Sequence, residues 1–172
     1  YFKQGLVDKA ISAHETALSV NPEFPKSRFN LGSIYSYQGR IKDAIKEYEI
    51  VLKIDPYYES TYINIAALYI KDGRIADAIK MYEWFLKLHP DNFFIFLSIG
   101  NLYEMKNDID RAINSYKTAL AHNPYFFIAY KKIGRLYAQK GNTEEAIRFY
   151  DACLQKNPDL SAMIQELKAL YK

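Results

Sequence analysis

The side chains best suited to covalent or metal chemistry are one cysteine and three histidines, in a chain of 172 residues. Cys153 lies between Ala152 and Leu154, a setting typical of a buried and unreactive thiol in a helix. The histidines are far apart, and none has a metal-ligand spacing such as HxxxH or CxxC. A single cysteine also rules out an internal disulfide. We therefore expect no nucleophile, metal site or cofactor.

The acidic residues do not resemble a catalytic pair either. Asp43 and Glu47, like Glu144 and Glu145, stand among lysines and arginines at helical spacing, which is typical of a solvated helix face. No phosphate-loop, dinucleotide-binding, nucleophile-elbow or zinc-protease motif occurs. These residues predict a chain that is not an enzyme, and they leave open a catalytic domain elsewhere in a longer parent protein.

The composition excludes other classes of protein. An apolar content of 49% excludes intrinsic disorder. The net charge of +3 is too small to indicate nucleic-acid binding. The longest apolar runs have six residues, whereas a membrane-spanning helix needs roughly 20. The lack of an Asn-x-Ser/Thr sequon favours a cytoplasmic protein over a glycosylated extracellular one. The first residues carry no signal-peptide pattern, which proves little if the chain is a fragment.

One period organises the whole chain. Proline, alanine, leucine, isoleucine and tyrosine each recur every 34 residues, which coincidence does not produce. The prolines of this series are Pro22, Pro56, Pro90, Pro124 and Pro158. One tyrosine column comprises Tyr1, Tyr35, Tyr69, Tyr103, Tyr137 and Tyr171. The chain is therefore predicted to be a repeat protein.

Each repeat predicts two helices, A and B. Leu31, Ile34 and Tyr35 share one face of a helix A, which Gly39 ends because glycine readily takes positive φ. Helix B follows and stops before Pro56. The other predicted helix-A ends are Gly5, Gly73, Asn107 and Gly141. A column of small residues, Gly32, Ala66, Gly100 and Gly134, is predicted to let the two helices approach closely.

The sequence resembles the tetratricopeptide repeat family over essentially its whole length. Leu31-Gly32-x-x-Tyr35, followed by Ala44, Tyr48 and Pro56, matches the family pattern of apolar-Gly-x-x-Tyr, Ala-x3-aromatic and Pro. The resemblance implies an all-α fold, a right-handed superhelical α-solenoid of antiparallel helix pairs.

The register divides residues 1–172 into a single array. The predicted parts are a partial repeat 1–24 that is mainly helix B, full repeats 25–58, 59–92, 93–126 and 127–160, and a capping helix 161–172. Because Tyr1 falls in the helix-A tyrosine column, we expect a fragment of a longer protein. Lys168 falls in the small-residue column, which predicts a solvated end of the array.

The resemblance implies that the A helices line a concave groove that holds the ligand. The predicted partner-binding residues are Phe29, Asn30, Ile63, Asn64, Phe94, Leu97, Asn101, Ile128, Lys131, Lys132 and Arg135. Apolar residues early in this series and basic ones at its end predict a peptide or helix with apolar anchors and an acidic stretch. The alternative is that Phe29 and Leu97 pack between helices and that the basic turn is solvated.

Two narrower family sites fit less well. Asn30 and Asn64 resemble two rungs of the asparagine ladder of O-linked N-acetylglucosamine transferases, but Ser98 and Lys132 break the series. The carboxylate clamp of the chaperone-binding members is rejected, because Arg135 stands where it requires asparagine.

Several aromatic residues lie outside the repeat columns. Trp84 is expected to be partly buried between units, with a hot spot on the convex face as the alternative. Phe93, Phe94 and Tyr125–Phe127 bracket one repeat, whose helix A is apolar nearly all round. Such a helix is either deeply buried or carries an exposed apolar patch.

These observations predict a non-catalytic protein–protein interaction scaffold or adaptor. One alternative is the regulatory or substrate-recruiting array of a larger, for example glycosyltransferase-like, enzyme or of a transport complex. Another is a self-assembling scaffold, in which the N-terminal end or the Phe93–Phe94 surface binds a second copy. No nucleic-acid or membrane-spanning role is predicted.

Overall fold

The computed structural model describes the backbone of residues 4–169 and their side chains, except those of residues 4, 163 and 166. Tyr1 and Tyr171, the predicted ends of a tyrosine column, lie outside the described residues. Every regular element in the described range is a helix, which confirms the all-α prediction. The elements are α1 (Gln4–Val20), α2 (Pro25–Tyr37), α3 (Ile41–Ile54), α4 (Glu59–Lys71), α5 (Ile75–Leu88), α6 (Phe93–Met105), α7 (Ile109–His122), α8 (Phe127–Gln139), α9 (Thr143–Lys156), a 3-10 turn (Pro158–Leu160) and α10 (Ser161–Ala169).

The helices belong to two compact units, within Tyr1–Leu88 and His89–Lys172. In the first unit α1 packs on α2, α2 on α3, α3 on α4 and α4 on α5. In the second unit α6 packs on α7, α7 on α8, α8 on α9 and α9 on α10. Short connections such as residues 38–40 join the members of a pair, which therefore run antiparallel. We call α2, α4, α6 and α8 the A helices and α3, α5, α7 and α9 the B helices.

The A helices end as predicted, at residues that take positive φ. Gly39 has a φ of 76° and Asn107 a φ of 57°. The chain then folds back, so that the backbone N–H of Arg40 donates to the carbonyl of Tyr35 at 2.9 Å. This hydrogen bond satisfies a carbonyl that the end of the helix leaves without an intrahelical partner. Gly73 and Gly141 take the same conformation in the other two turns.

The small-residue column is confirmed as the place where an A helix meets its B helix. A Cβ atom built on Gly32 would lie 2.7 Å from Cε1 of Tyr48, a residue only 2% exposed. Gly100 and Gly134 lie against Tyr116 and Tyr150 in the same way. The absent methyl group lets each tyrosine ring pack on the helix backbone, and this packing holds Tyr48 and Tyr116 beside polar side chains of the A helices.

Three local predictions need correction. Gly5 lies inside α1 and does not end a helix, because α1 continues without a break to Val20. Lys168 is not solvated: its Nζ donates to Asp151 Oδ1 at 2.5 Å, and its side chain is 15% exposed. Trp84 is 51% exposed, a larger exposed fraction than is expected of a side chain partly buried between neighbouring repeats.

Candidate functional site

The A helices of the first unit carry a polar cavity of about 350 Å³. It is lined by Ser33, Ser36, Tyr48, Asn64, Ala67, Leu68 and Lys71. The repeat period explains this grouping, since Ser33 and Ala67 are equivalent residues of α2 and α4. We call the surface around this cavity the A-face of the first unit.

The hydrogen bonds in this cavity run in one direction. Ser33 Oγ donates to the carbonyl of Phe29 at 3.0 Å. Because the Ser33 hydroxyl proton is used in this bond, the Tyr48 hydroxyl is the donor in its hydrogen bond with Ser33 Oγ, at 3.0 Å. Asn64 Nδ2 in turn donates to the Tyr48 oxygen at 3.2 Å. This polarity fixes the amide orientation and leaves Asn64 Oδ1 as an acceptor at the cavity. Lys71, also in the cavity wall, has no ion-pair partner among the described residues.

Burial raises the pKa of Tyr48, against the opposing effect of its hydrogen bonds with Ser33 and Asn64. The phenol therefore stays neutral and keeps its proton for Ser33 at physiological pH. The A-face of the first unit thus offers a neutral amide and hydroxyl surface beside one ammonium group.

The predicted apolar residues of the first unit are half-buried. The Phe29 ring packs against Tyr48 and Tyr58, with centroid separations of 5.4 Å and 5.0 Å. Ile63 and Asn30 are also half-buried, and neither lines the polar cavity. For Phe29 the contacts are those of the packing alternative, so Asn64 is the predicted residue of this unit that the structure brings to a cavity.

In the second unit, Glu104 gathers three donors from neighbouring helices. Its Oε1 accepts from the Tyr116 hydroxyl at 2.5 Å and from Lys132 Nζ at 3.3 Å, and its Oε2 accepts from Arg135. The side-chain amide of Asn101 lies 2.8 Å from the oxygen of the same Tyr116 hydroxyl. Two charges of the predicted basic turn are therefore already paired within the unit.

Burial alone would raise the pKa of Glu104. The hydrogen bond from Tyr116 and the positive charges of Lys132 and Arg135 outweigh it and hold the pKa of this carboxyl below its usual range. The pKa of Tyr116 is raised by its burial and by its hydrogen bond to Glu104. The cluster is thus a carboxylate held by a neutral phenol and two cations.

Sequence reasoning missed Glu104. The signal was present, because Glu104 follows Asn101 by three residues on the same helix and Arg135 shares the column of Asn101. Two side chains at such positions on successive A helices meet only if both are long and turn toward each other, which no periodicity reports.

The second unit also carries exposed apolar side chains. Phe94 is 58% exposed and Ile128 is 47% exposed. The Phe94 ring packs edge-on against Phe126 at 5.5 Å and tilted against Phe93 at 4.2 Å. Helix α6 therefore carries the exposed patch that its sequence allowed, whereas Leu97 is half-buried against the core of the unit.

A cavity of about 530 Å³ opens beside Ile128. Its lining is Phe127, Ile128, Lys131, Lys132, Arg135, Tyr150 and Leu167. Lys131 is exposed and has no ion-pair partner among the described residues. We call the surface of Phe94, Ile128, Lys131 and this cavity the A-face of the second unit. Its chemistry is apolar, with one unpaired cation.

Among the side chains that the structure describes, no three of histidine, cysteine, aspartate or glutamate stand close enough to hold a metal ion. Cys153 is buried, and this burial raises the pKa of its thiol despite the hydrogen bond from Asn157. No helix in the described part of the chain is long and apolar enough to cross a membrane.

Comparisons with known proteins agree with the repeat architecture. Three family models, each described as a tetratricopeptide repeat, match residues 1–59, 59–92 and 105–171. No curated protein sequence matches the chain significantly.

Solved structures share the fold. A crystal structure of MamA superposes with a TM-score of 0.73 and 24% identity, over 92% of this chain and 93% of that one. A tetratricopeptide repeat protein from Parabacteroides merdae ATCC 43184 superposes with a TM-score of 0.71 and 22% identity, over 98% of this chain and 66% of that one. YrrB, whose structure is described as a TPR protein with an unusual peptide-binding site, superposes with a TM-score of 0.68 and 17% identity. The match covers 95% of this chain and 84% of YrrB. These likenesses confirm an α-solenoid of helix pairs.

Proposed function

The chain belongs to the tetratricopeptide repeat family, and from this premise we propose that it is a non-catalytic scaffold that binds a peptide segment of a partner protein on its A-faces. Proteins of this family bind protein or peptide partners. The observation that carries the proposal is the exposure of Phe94 and Ile128, which hold equivalent positions on successive A helices, together with the open cavity of about 530 Å³ that Ile128 lines.

The apolar pair would supply most of the affinity. Full burial of a phenylalanine or isoleucine side chain contributes roughly 1.5–3 kcal/mol. Phe94 and Ile128 are already about half-buried, so each has about 1 kcal/mol left to contribute when a ligand covers it. Phe126, which supports Phe94 from behind, is 9% exposed. The ligand therefore meets a surface that the unit has already ordered, which lowers the entropic cost of binding.

The A-face of the first unit suits the main chain of a peptide. Asn64 Oδ1 is an acceptor for a backbone N–H, and the Lys71 ammonium is a donor for a backbone carbonyl or a carboxylate. Neither group recognises a particular side chain. The A-face of the first unit would therefore bind the backbone of an extended peptide and would not select its side chains.

We propose fewer negative charges on the ligand than the sequence predicts. Glu104 already pairs with Lys132 and Arg135, and this cluster keeps a net charge of +1. Lys131, beside Ile128, is the cation that has no ion-pair partner among the described residues. We therefore propose a segment with apolar anchors and one carboxylate near them, in place of a long acidic stretch. The peptide-binding site named for YrrB supports a peptide as the ligand class for this fold.

A selection from a display library of short random peptides tests the proposal. Wild type should enrich peptides with aliphatic or aromatic anchors, and the variant with both Phe94→Ala and Ile128→Ala should lose this enrichment. Tyr57→Ala is the matched control, because Tyr57 is an exposed apolar side chain, 74% exposed, outside the A-faces. Equal enrichment on all three proteins would refute the A-face assignment.

Self-association is the second candidate, because an exposed patch such as that around Phe94 also suits another copy of the chain. Light scattering over a concentration series separates the two. A wild-type molar mass that stays at the monomer value over the whole concentration series supports the peptide-binding role. A dimer that Phe94→Ala dissociates would assign the patch to self-assembly.

A further inference from the structure

The first unit has a second groove, formed mainly by its B helices. It measures about 320 Å³ and is lined by Leu52, Lys53, Pro56, Tyr62, Met81 and Trp84. None of these residues lines the polar cavity of the A-face in the same unit. The lining is apolar apart from Lys53, and the Tyr62 hydroxyl donates to the Pro56 carbonyl at 2.9 Å. The wall of the groove near Pro56 is thus fixed by an internal hydrogen bond.

Trp84 is the only tryptophan of the chain and is 51% exposed. Lys87 Nζ lies 3.7 Å from the centroid of its ring, a cation–π contact that holds the ring in place. The ammonium covers one ring face, and the Trp84 side chain also lines the groove. A large aromatic side chain that is half in water still has about half of its surface available for binding.

The repeat itself indicates that Trp84 is not needed for the fold. The equivalent residues in the other full repeats are Ile50, Thr118 and Ala152. The B helices that carry these smaller side chains still pack against their A helices. The size of Trp84 therefore has no explanation in the packing of this column.

Charge completes the description of the groove. Lys53 and Lys87 are equivalent residues of α3 and α5, and each is the last residue but one of its helix. Both are exposed, and neither has an ion-pair partner among the described residues. Of the nearby carboxylates, Asp55 accepts from the backbone N–H of Tyr57 at 2.9 Å. Glu83, next to Trp84 on α5, is exposed and does not line the groove.

We propose that this groove is a second docking site, for a partner segment in which an apolar side chain stands beside a carboxylate. The apolar side chain would lie against Trp84 and Met81, and the carboxylate would pair with Lys53 or Lys87. Hot spots of protein interfaces are enriched in tryptophan, and flanking charges set orientation and association rate. The site does not depend on the A-face proposal, since it uses different residues and a different pair of helices.

The test first removes the apolar pair from the A-face of the second unit. Short random peptides are selected on the Phe94→Ala/Ile128→Ala variant and on the same variant with Trp84→Ala, with Lys53→Glu/Lys87→Glu, or with Lys42→Glu/Lys46→Glu. The last pair is the matched control, because both lysines are exposed on α3 and lie outside the groove lining. We expect the Phe94→Ala/Ile128→Ala variant to enrich peptides in which an apolar residue adjoins an acidic one. Adding Trp84→Ala should abolish this enrichment, and adding Lys53→Glu/Lys87→Glu should shift it to peptides with adjoining apolar and basic residues. The control pair should leave the enrichment unchanged.

The single tryptophan then gives a direct readout. The most enriched peptide should change the emission of Trp84, with an affinity that falls about tenfold in the Lys53→Glu/Lys87→Glu protein at low salt and less at high salt. This variant keeps Trp84, so the readout survives even if Trp84→Ala disturbs folding. No enrichment, an unchanged charge preference after reversal, or binding without a change in emission would overturn the proposal. Failure here leaves the A-face selection on wild type unaffected.

Discussion

Single residues set how closely the helices of a pair approach. The Gly32→Ala substitution would place a methyl group 2.7 Å from the ring of buried Tyr48. We expect a net loss of about 1–2 kcal/mol in the free energy of unfolding, because overpacking outweighs the higher helix propensity of alanine. The matched control is Gly5→Ala, since Gly5 lies in α1 with nothing within 4 Å. It should stabilise the protein by about 0.5 kcal/mol in urea denaturation. Equal effects of the two substitutions would contradict the packing described.

The Glu104 cluster makes stability depend on pH, also through single residues. Because the folded pKa of Glu104 is lowered, its contribution is fully present above the unfolded value of about 4.3 and is lost as pH falls through the folded pKa. Glu104→Gln should therefore cost about 1–2 kcal/mol at neutral pH, allowing for the solvent screening of half-exposed Arg135. The difference from wild type should shrink below about pH 4.

Urea denaturation over a pH series measures this effect. Glu144→Gln, at an exposed carboxylate of α9, serves as the control and should match wild type throughout. A cost of Glu104→Gln that stays the same at every pH would mean that ionisation of this carboxyl does not matter.

Whole elements end where the backbone can turn back. Asn107 takes a φ of 57° at the position that glycine holds in the other turns. Asn107→Ala should lower the free energy of unfolding by about 1 kcal/mol, because a left-handed conformation strains alanine. Asn107→Gly should stay within about 0.5 kcal/mol of wild type. Thermal or urea denaturation checks both, and an alanine variant as stable as the glycine variant would contradict the turn geometry.

The sequence predicts elements better than sites, for a physical reason. Pro56 and Gly39 act through their own backbone, so their spacing alone places the helix ends. The pairing of Glu104 with Arg135 and the exposure of Trp84 depend on where long side chains meet neighbouring helices. Gly5 shows the same limit, since a column position cannot report whether the residue takes positive φ.

At the scale of the whole molecule, the chain combines a small net charge of +3 with several exposed apolar side chains, and we propose two of the surfaces that carry them as docking sites. One is the A-face around Phe94 and Ile128 in the second unit. The other is the groove of Trp84 in the first unit. Each lies beside an unpaired lysine, and each fits a short segment of a partner protein. The two proposed docking sites would let a scaffold hold more than one partner segment.

The most direct test of this account is the dissociation constant of the peptide that wild type enriches most strongly among those with apolar anchors, measured by calorimetry on three proteins. We predict that Phe94→Ala/Ile128→Ala weakens binding at least about tenfold, since about 1 kcal/mol is lost at each side chain. The Tyr57→Ala control should bind as wild type does. Equal dissociation constants for wild type and the Phe94→Ala/Ile128→Ala variant would contradict the claim that the A-face holds the partner.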